Sequence, residues 1–453
     1  MNEQHRDPWQ RVRNEVVDLR QWLDRGIVIA FAVATGLVVV GFTHLAEFAS
    51  HTFLRLTDSG TIGRFAPLVW TPALAVALLW LTRRFAAGTQ GSGIPQVVAA
   101  LEYPMSERQQ SGLVSLPLSL QKIALVSGGL LAGLSIGREG PTVQVGAGVM
   151  QQARRWLSPG STIDAHDLLV AGAAAGIAAA FNTPLGGVIF AIEQLSRRRG
   201  FSHSGLVILS IVMSGLVAVS LLGNLTYFGE LQAQRLDWSL LVPGLAVALA
   251  CGLAGGLFSR LIVASFRGLP DRFCAWRARH PFRFAAACAL AVAVIGIVSG
   301  QATAGAGYAP TRALLEGQGD VPALYTLLKF CATWLSAWTG LPAGVFAPSL
   351  SIGAGIGHDV AWLAGITGEA AIPLIAFGMV GFLSASTQGP LTAFIIVMEM
   401  VAGQSLVLSL MAVALVATGV SRLLTPPMFA ELAALLVPAA ANGAGSPTAG
   451  RTD

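Results

Sequence analysis

Asn182-Thr183-Pro184-Leu185-Gly186-Gly187-Val188-Ile189-Phe190-Ala191-Ile192-Glu193 is an apolar run opened by a proline and closed by an acid, and the chain contains it twice. The second copy is Gln388-Gly389-Pro390-Leu391-Thr392-Ala393-Phe394-Ile395-Ile396-Val397-Met398-Glu399, again with the glutamate nine residues after the proline. Upstream, Gly137-Arg138-Glu139-Gly140-Pro141 and Gly344-Val345-Phe346-Ala347-Pro348 are loops that end in proline and open apolar segments. Pro141 lies 43 residues before Pro184, and Pro348 lies 42 before Pro390, so the spacing repeats as well as the motif. The chain therefore reads as two related halves, about 27–200 and 238–430. Interrupted hydrophobic segments at corresponding positions of paired halves point to a transporter with its site between the repeats, near the middle of a bilayer. Spacing alone does not tell whether the second half is inverted.

Composition demands the bilayer. Of 453 residues, 54% are hydrophobic and 11% charged, against roughly 25% charge in an ordinary soluble domain. Charge-free stretches such as 65–82, 168–192, 204–229, 238–259, 284–311 and 400–421 mostly meet the roughly 20 residues needed to cross the hydrocarbon core. They recur from Ile27 to about Pro438 without a long polar interval, which predicts one integral domain over 27–436 and no soluble catalytic domain. Residues 1–26 lack the apolar core of a signal peptide, and Trp9, Val12, Val16, Leu19 and Leu23 predict an amphipathic helix on a membrane or protein surface. Residues 437–453, rich in Ala, Gly, Pro and Thr, read as a disordered tail. Basic runs at Arg83-Arg84, Arg154-Arg155, Arg197-Arg198-Arg199 and between Arg267 and Arg283 mark cytoplasmic loops rather than nucleic-acid sites, with the N-terminus inside. Cys251, Cys274, Cys288 and Cys331 show no ligand spacing, and no metal or cofactor is expected.

Three Gly/Pro loops stand at membrane depth: Gly91-Ser92-Gly93-Ile94-Pro95 and the two loops at Gly137 and Gly344. Irregular backbone there is tolerable only if it is buried in protein or lines a cavity. In each, proline falls where a helix's first turn needs no amide donor. Such a helix start offers unpaired N–H groups and the positive end of the peptide dipoles, so several aimed at one point hold an anion without a full positive charge. A conductor needs that restraint, because a site that binds too tightly does not release its ion.

G-S-G-I-P, G-R-E-G-P and G-x-F-x-P, in this order at Gly91, Gly137 and Gly344, are similar to the three signature motifs of the CLC family of chloride channels and chloride/proton exchangers, and the resemblance spans about residues 25–430. It implies an all-α polytopic fold of tilted and broken helices in two inverted repeats, assembled as a homodimer with one anion pathway per subunit. By position, Ser92 with Gly93 and Ile94, and Val345 with Phe346, match the residues that coordinate the central anion, and Glu139 matches the gating glutamate. The logic of that gate stands without the family: a carboxylate beside an anion site competes for the same donors, and protonation ends its claim. Lys122 and Arg138 match basic residues that raise the positive potential along the pathway. In the family, serine at the position of Ser92 goes with chloride, proline with nitrate and methionine with fluoride. The partners implied are chloride, with other halides or nitrate beside it, protons and the lipid bilayer of a bacterial inner membrane.

Two positions depart from the bacterial exchangers. Gln194 stands where they carry the glutamate that passes protons on the intracellular side, and Phe429, in Pro427-Met428-Phe429, aligns with a tyrosine whose hydroxyl contacts the anion. Both departures lean the reading toward a gated, channel-like chloride conductor with weak or altered proton coupling. The alternative is chloride/proton exchange. Glu193 reads as structural. A secondary transporter for another ion or solute would need acids in the membrane core, and few stand there beyond Glu139, Glu193 and Glu399. An intramembrane enzyme lacks any catalytic motif here.

Overall fold

The structure, a computed structural model, describes residues 19–196, 204–223, 238–268, 271–317, 321–322 and 324–437. The amphipathic pattern at Trp9, Val12 and Val16 and the tail beyond Val437 lie outside the described residues. Helices carry nearly all of what is described, and no strand occurs among those residues beyond two isolated bridges. The first half comprises α1 (Leu19–Thr57), α2 (Gly60–Phe65), α3 (Pro67–Phe85), α4 (Ile94–Glu102), α5 (Glu107–Leu113), α6 (Leu116–Leu131), α7 (Glu139–Met150), α8 (Ala165–Phe181), α9 (Pro184–Phe190) and α10 (Ser204–Leu222). The second comprises α11 (Leu241–Arg267), α12 (Arg272–Arg279), α13 (Pro281–Val298), α14 (Tyr308–Leu315), α15 (Tyr325–Trp338), α16 (Phe346–Leu363), α17 (Ile372–Thr387), α18 (Pro390–Met400), α19 (Val407–Leu424) and α20 (Met428–Leu436). α1 passes residue 26 without a break, so Leu19 and Leu23 belong to the first membrane-length helix.

Among the described residues, eight segments are long and apolar enough to span a membrane. Their outward faces suit hydrocarbon: Leu245, Leu249, Leu253 and Leu257 form one exposed stripe along α11 at a spacing of four. α8 and α17, by contrast, are buried on nearly every side. Both are rich in small residues, and the reason is close helix approach. A Cβ on Gly146 or Gly172 would overlap the backbone of the other residue, which brings α7 against α8, and Gly353 and Gly378 do the same for α16 and α17. In lipid, where apolar surface gains nothing by leaving the solvent, such backbone proximity is what drives helix association.

The halves correspond element by element. α1 packs on α6, α8 and α10, as α11 packs on α15, α17 and α19. α8 ends at Asn182 and α17 at Gln388, both in the left-handed region (φ 57° and 52°), and each turn feeds a helix with proline in its first turn.

The relation between halves is an inversion, and the two repeated glutamates prove it. Glu193 accepts hydrogen bonds from the amides of Leu391 (3.0 Å) and Thr392 (2.8 Å), at the start of α18. Glu399, at the end of α18, accepts from the amides of Leu185 (3.2 Å) and Gly186 (2.7 Å), at the start of α9. Each segment's acidic end thus caps the other's N-terminus, which requires them to lie side by side and antiparallel. The two charges also sit at the positive ends of two helix dipoles.

Glu193→Ala or Glu399→Ala removes two charge-assisted bonds from one helix start, and each is expected to cost about 2 kcal/mol. Thermal unfolding of the detergent-purified protein measures this; glutamine at either position should cost less, since it keeps one acceptor.

Candidate functional site

The three Gly/Pro loops meet and are sewn together through their backbones. Gly137 donates to the carbonyl of Gly344 (2.8 Å) and Gly344 donates back to Gly137 (3.1 Å), an antiparallel pair between equivalent loops of the two halves. The Gly91 amide donates to Leu341 (3.3 Å), and its carbonyl accepts from Ala343 (3.1 Å). Gly91 and Gly93 take positive φ, 71° and 102°, a region open to glycine at no steric cost. This lets Gly93 cap α4 while Ser92 turns inward. The result is a cluster of helix starts: α4 at Ile94, α7 at Glu139 behind Arg138, and α16 at Phe346 behind Val345. The backbones of the last two caps nearly superimpose, with φ −108° at Arg138 and −110° at Val345.

Ser92 and Glu139 lie in this cluster. The Ser92 hydroxyl faces Gly140 in the first turn of α7, where a Cβ would collide with it, and no hydrogen-bond partner meets it among the described residues. Glu139 is completely buried. Its Oε2 lies against Gly137, likewise with no partner among the described residues, and Ala347 and Pro348 of α16 pack against that same glycine. Its Oε1 accepts a hydrogen bond from the Tyr308 hydroxyl and lies 3.6 Å from Arg138 Nε. Two buried polar atoms, one a hydroxyl and one a carboxylate oxygen, thus lie open beside convergent helix starts.

Away from Glu139 the cluster is bounded by aromatic rings. Phe346 is buried with Phe181 at 6.0 Å and Phe190 at 6.4 Å, and Phe429, one residue into α20, stacks parallel to it at 6.1 Å. Phe429, Val345 and Ser92 line one cavity, along with Gln96 and Phe266. Sequence analysis placed these residues together by family position, and the structure brings them to one locus, with the ring of Phe429 in it and no hydroxyl.

Lys122 and Arg138 differ in their setting. The buried Lys122 amino group donates to the carbonyls of Thr89 and Gly91, both at 2.7 Å, so it sits under the Ser92 loop and holds that loop in shape. Arg138 lies between Glu139 and Glu47 of α1, 3.6 Å from an oxygen of each. Gln194 is apart from this cluster, buried against Gly389 at the turn into α18. A second cavity opens there, lined by Glu193, Gln388, Arg422 and Thr425.

Two residues escaped the sequence reading. Lys329, fully buried, donates to Thr303 (3.0 Å) and Gly305 (2.8 Å), repeating in the second half what Lys122 does with Thr89 and Gly91. Tyr308 follows the loop so held. The Thr-x-Gly-x-Gly pattern at 303–307 repeats that at 89–93, and Lys329 stands 207 residues after Lys122, so carrying the repeat one element further would have found both.

The sequence profile of the family described as "Voltage gated chloride channel" matches residues 73–422. Among curated proteins, the "H(+)/Cl(-) exchange transporter ClcA" of Citrobacter koseri is 29% identical over 410 residues, covering 85% of this chain and 82% of its own. The protein of that name from Salmonella paratyphi A is 29% identical over 436 residues, covering 90% and 88%. Among solved structures, a slow cyanobacterial Cl−/H+ antiporter aligns with a TM-score of 0.75 at 23% identity, over 91% of this chain and 97% of that one. A CLC-type fluoride/proton antiporter aligns at 0.72 and 21%, over 93% and 98%. These likenesses reproduce the fold described above, and the profile covers most of the chain together with all three loops: the protein belongs to the voltage-gated chloride channel, or CLC, family.

Proposed function

We propose that this protein exchanges chloride for protons across a bacterial plasma membrane, as a homodimer with a pathway in each subunit, and that Glu139 is the gate. The observation that carries the reading is the pair of unpartnered buried groups, Ser92 Oγ and Glu139 Oε2, beside the starts of α4, α7 and α16. The Ser92 hydroxyl and the open amides of those helices are donors suited to a halide, and the nearest full charges, Lys122 and Arg138, are engaged with other groups. In its charged form the Glu139 carboxylate claims the same partial positive charge. When protonated it loses that claim and leaves the position to an anion, so proton uptake and anion passage share one side chain. The names of the curated relatives favour exchange over the channel-leaning alternative.

A second reading rests on Gln194. A buried amide cannot take up a proton at the position where the family's exchangers carry an acid, and the ring of Phe429 presents no donor to an anion. Both features support chloride conduction with little proton movement.

Purified protein in chloride-loaded liposomes separates the two: for exchange, a chloride gradient drives protons uphill at a proton electrode, whereas conduction moves chloride with the electrode silent. Glu139→Gln is expected to maintain or raise chloride flux and to abolish coupled proton movement; transport unchanged in both respects would remove Glu139 from the gate. Ser92→Ala deletes one donor to a charged ligand, and calorimetric titration with chloride should show binding weakened about tenfold.

A further inference from the structure

Tyr308 is the first residue of α14, launched from Gly307 in the left-handed region (φ 86°). Lys329 pins the preceding loop through Thr303 and Gly305, so the tyrosine is presented by a fixed frame rather than a free loop. Its ring is half-buried, with the Arg138 guanidinium 6.0 Å from the ring centre, and its hydroxyl donates to Glu139 Oε1. The corresponding first residue of α4 in the other half is Ile94, which has no polar end. The repeat therefore calls for an apolar body at this place, and the hydroxyl is an addition.

We propose that Tyr308 is a positioning residue for the gate: its hydroxyl holds the Glu139 carboxylate in the placement that excludes the anion. The inference rests on the reading of Glu139 as the gate. The groups around that carboxylate leave few other holds. On α7 there is Arg138, shared with Glu47 of α1; from α14 there is Tyr308; Ser92 before α4 and Ala347 and Pro348 of α16 are uncharged. Arg138 at 3.6 Å supplies attraction without a close hydrogen bond, so Tyr308 provides the direct one. A phenol that donates to a carboxylate adds a charge-assisted hydrogen bond to the blocking placement. This chain thus has no hydroxyl on the ring of Phe429 and carries one on Tyr308, beside Glu139.

Tyr308→Phe keeps the ring and deletes only the donor. With chloride flux from liposomes followed from about pH 4 to about pH 8, the variant is expected to reach half-maximal flux at a pH about one unit higher than the parent. In a Glu139→Ala background, with no carboxylate to hold, Tyr308→Phe should leave the pH profile unchanged. A Tyr308→Phe profile that superimposes on that of the parent overturns the proposal, and so does a shift of equal size with and without Glu139, which would place the effect in packing. If Glu139→Ala alone leaves flux and its pH dependence at the parental values, the gate reading itself fails, whatever Tyr308 does.

Discussion

The reciprocal hydrogen bonds between Gly137 and Gly344 are the contact on which the rest of this structure depends. Each of these loops interrupts a helix inside the hydrocarbon layer, where an unpaired peptide group costs several kcal/mol and no water comes to its aid. Two copies of one loop, related by inversion, satisfy each other. In doing so they bring the starts of α7 and α16 together, with the Gly91 loop joined to the same seam through Leu341 and Ala343. A gap between helix starts is therefore what remains once the backbone has met its own requirement. The charge around it is the partial charge the broken helices would have carried anyway.

The same economy recurs away from the site. Glu193 and Glu399 are charged residues in apolar segments, and each is tolerated because it neutralises the other half's exposed helix start. Lys122 and Lys329 are fully buried, and each amino group is held by two carbonyls of a loop. In each pair a group that is costly to bury meets backbone that is costly to leave unpaired. Glu139 stands outside this pattern. Its repeat counterpart is Phe346, and its Oε2 has no partner among the described residues. Its Oε1 is held by side chains, Tyr308 and Arg138, rather than by backbone.

The site uses the inversion but is not itself symmetric. Glu139 on α7 meets Tyr308, whereas Phe346 on α16 meets Phe429. One end of the narrow region is therefore polar and titratable, and the other is a pair of stacked rings. The hydroxyl on Tyr308 and its absence from Phe429 sharpen that difference.

Much of this was legible from residue order. Period and spacing gave two halves and the proline-led helix starts, because these are local demands: proline suits a helix's first turn. Motif order placed Ser92, Glu139, Val345 and Phe346 near one another. Spacing was blind to inversion, since parallel and inverted copies share the same intervals; only the crossed capping of Glu193 and Glu399 decides it. Nor could the sequence alone set Tyr308 against Glu139, 169 residues away. That contact arises because the fold carries the second half's loop across the pseudo-symmetry axis to Glu139 of the first half, and which side chains meet across such an axis is a property of how two halves dock.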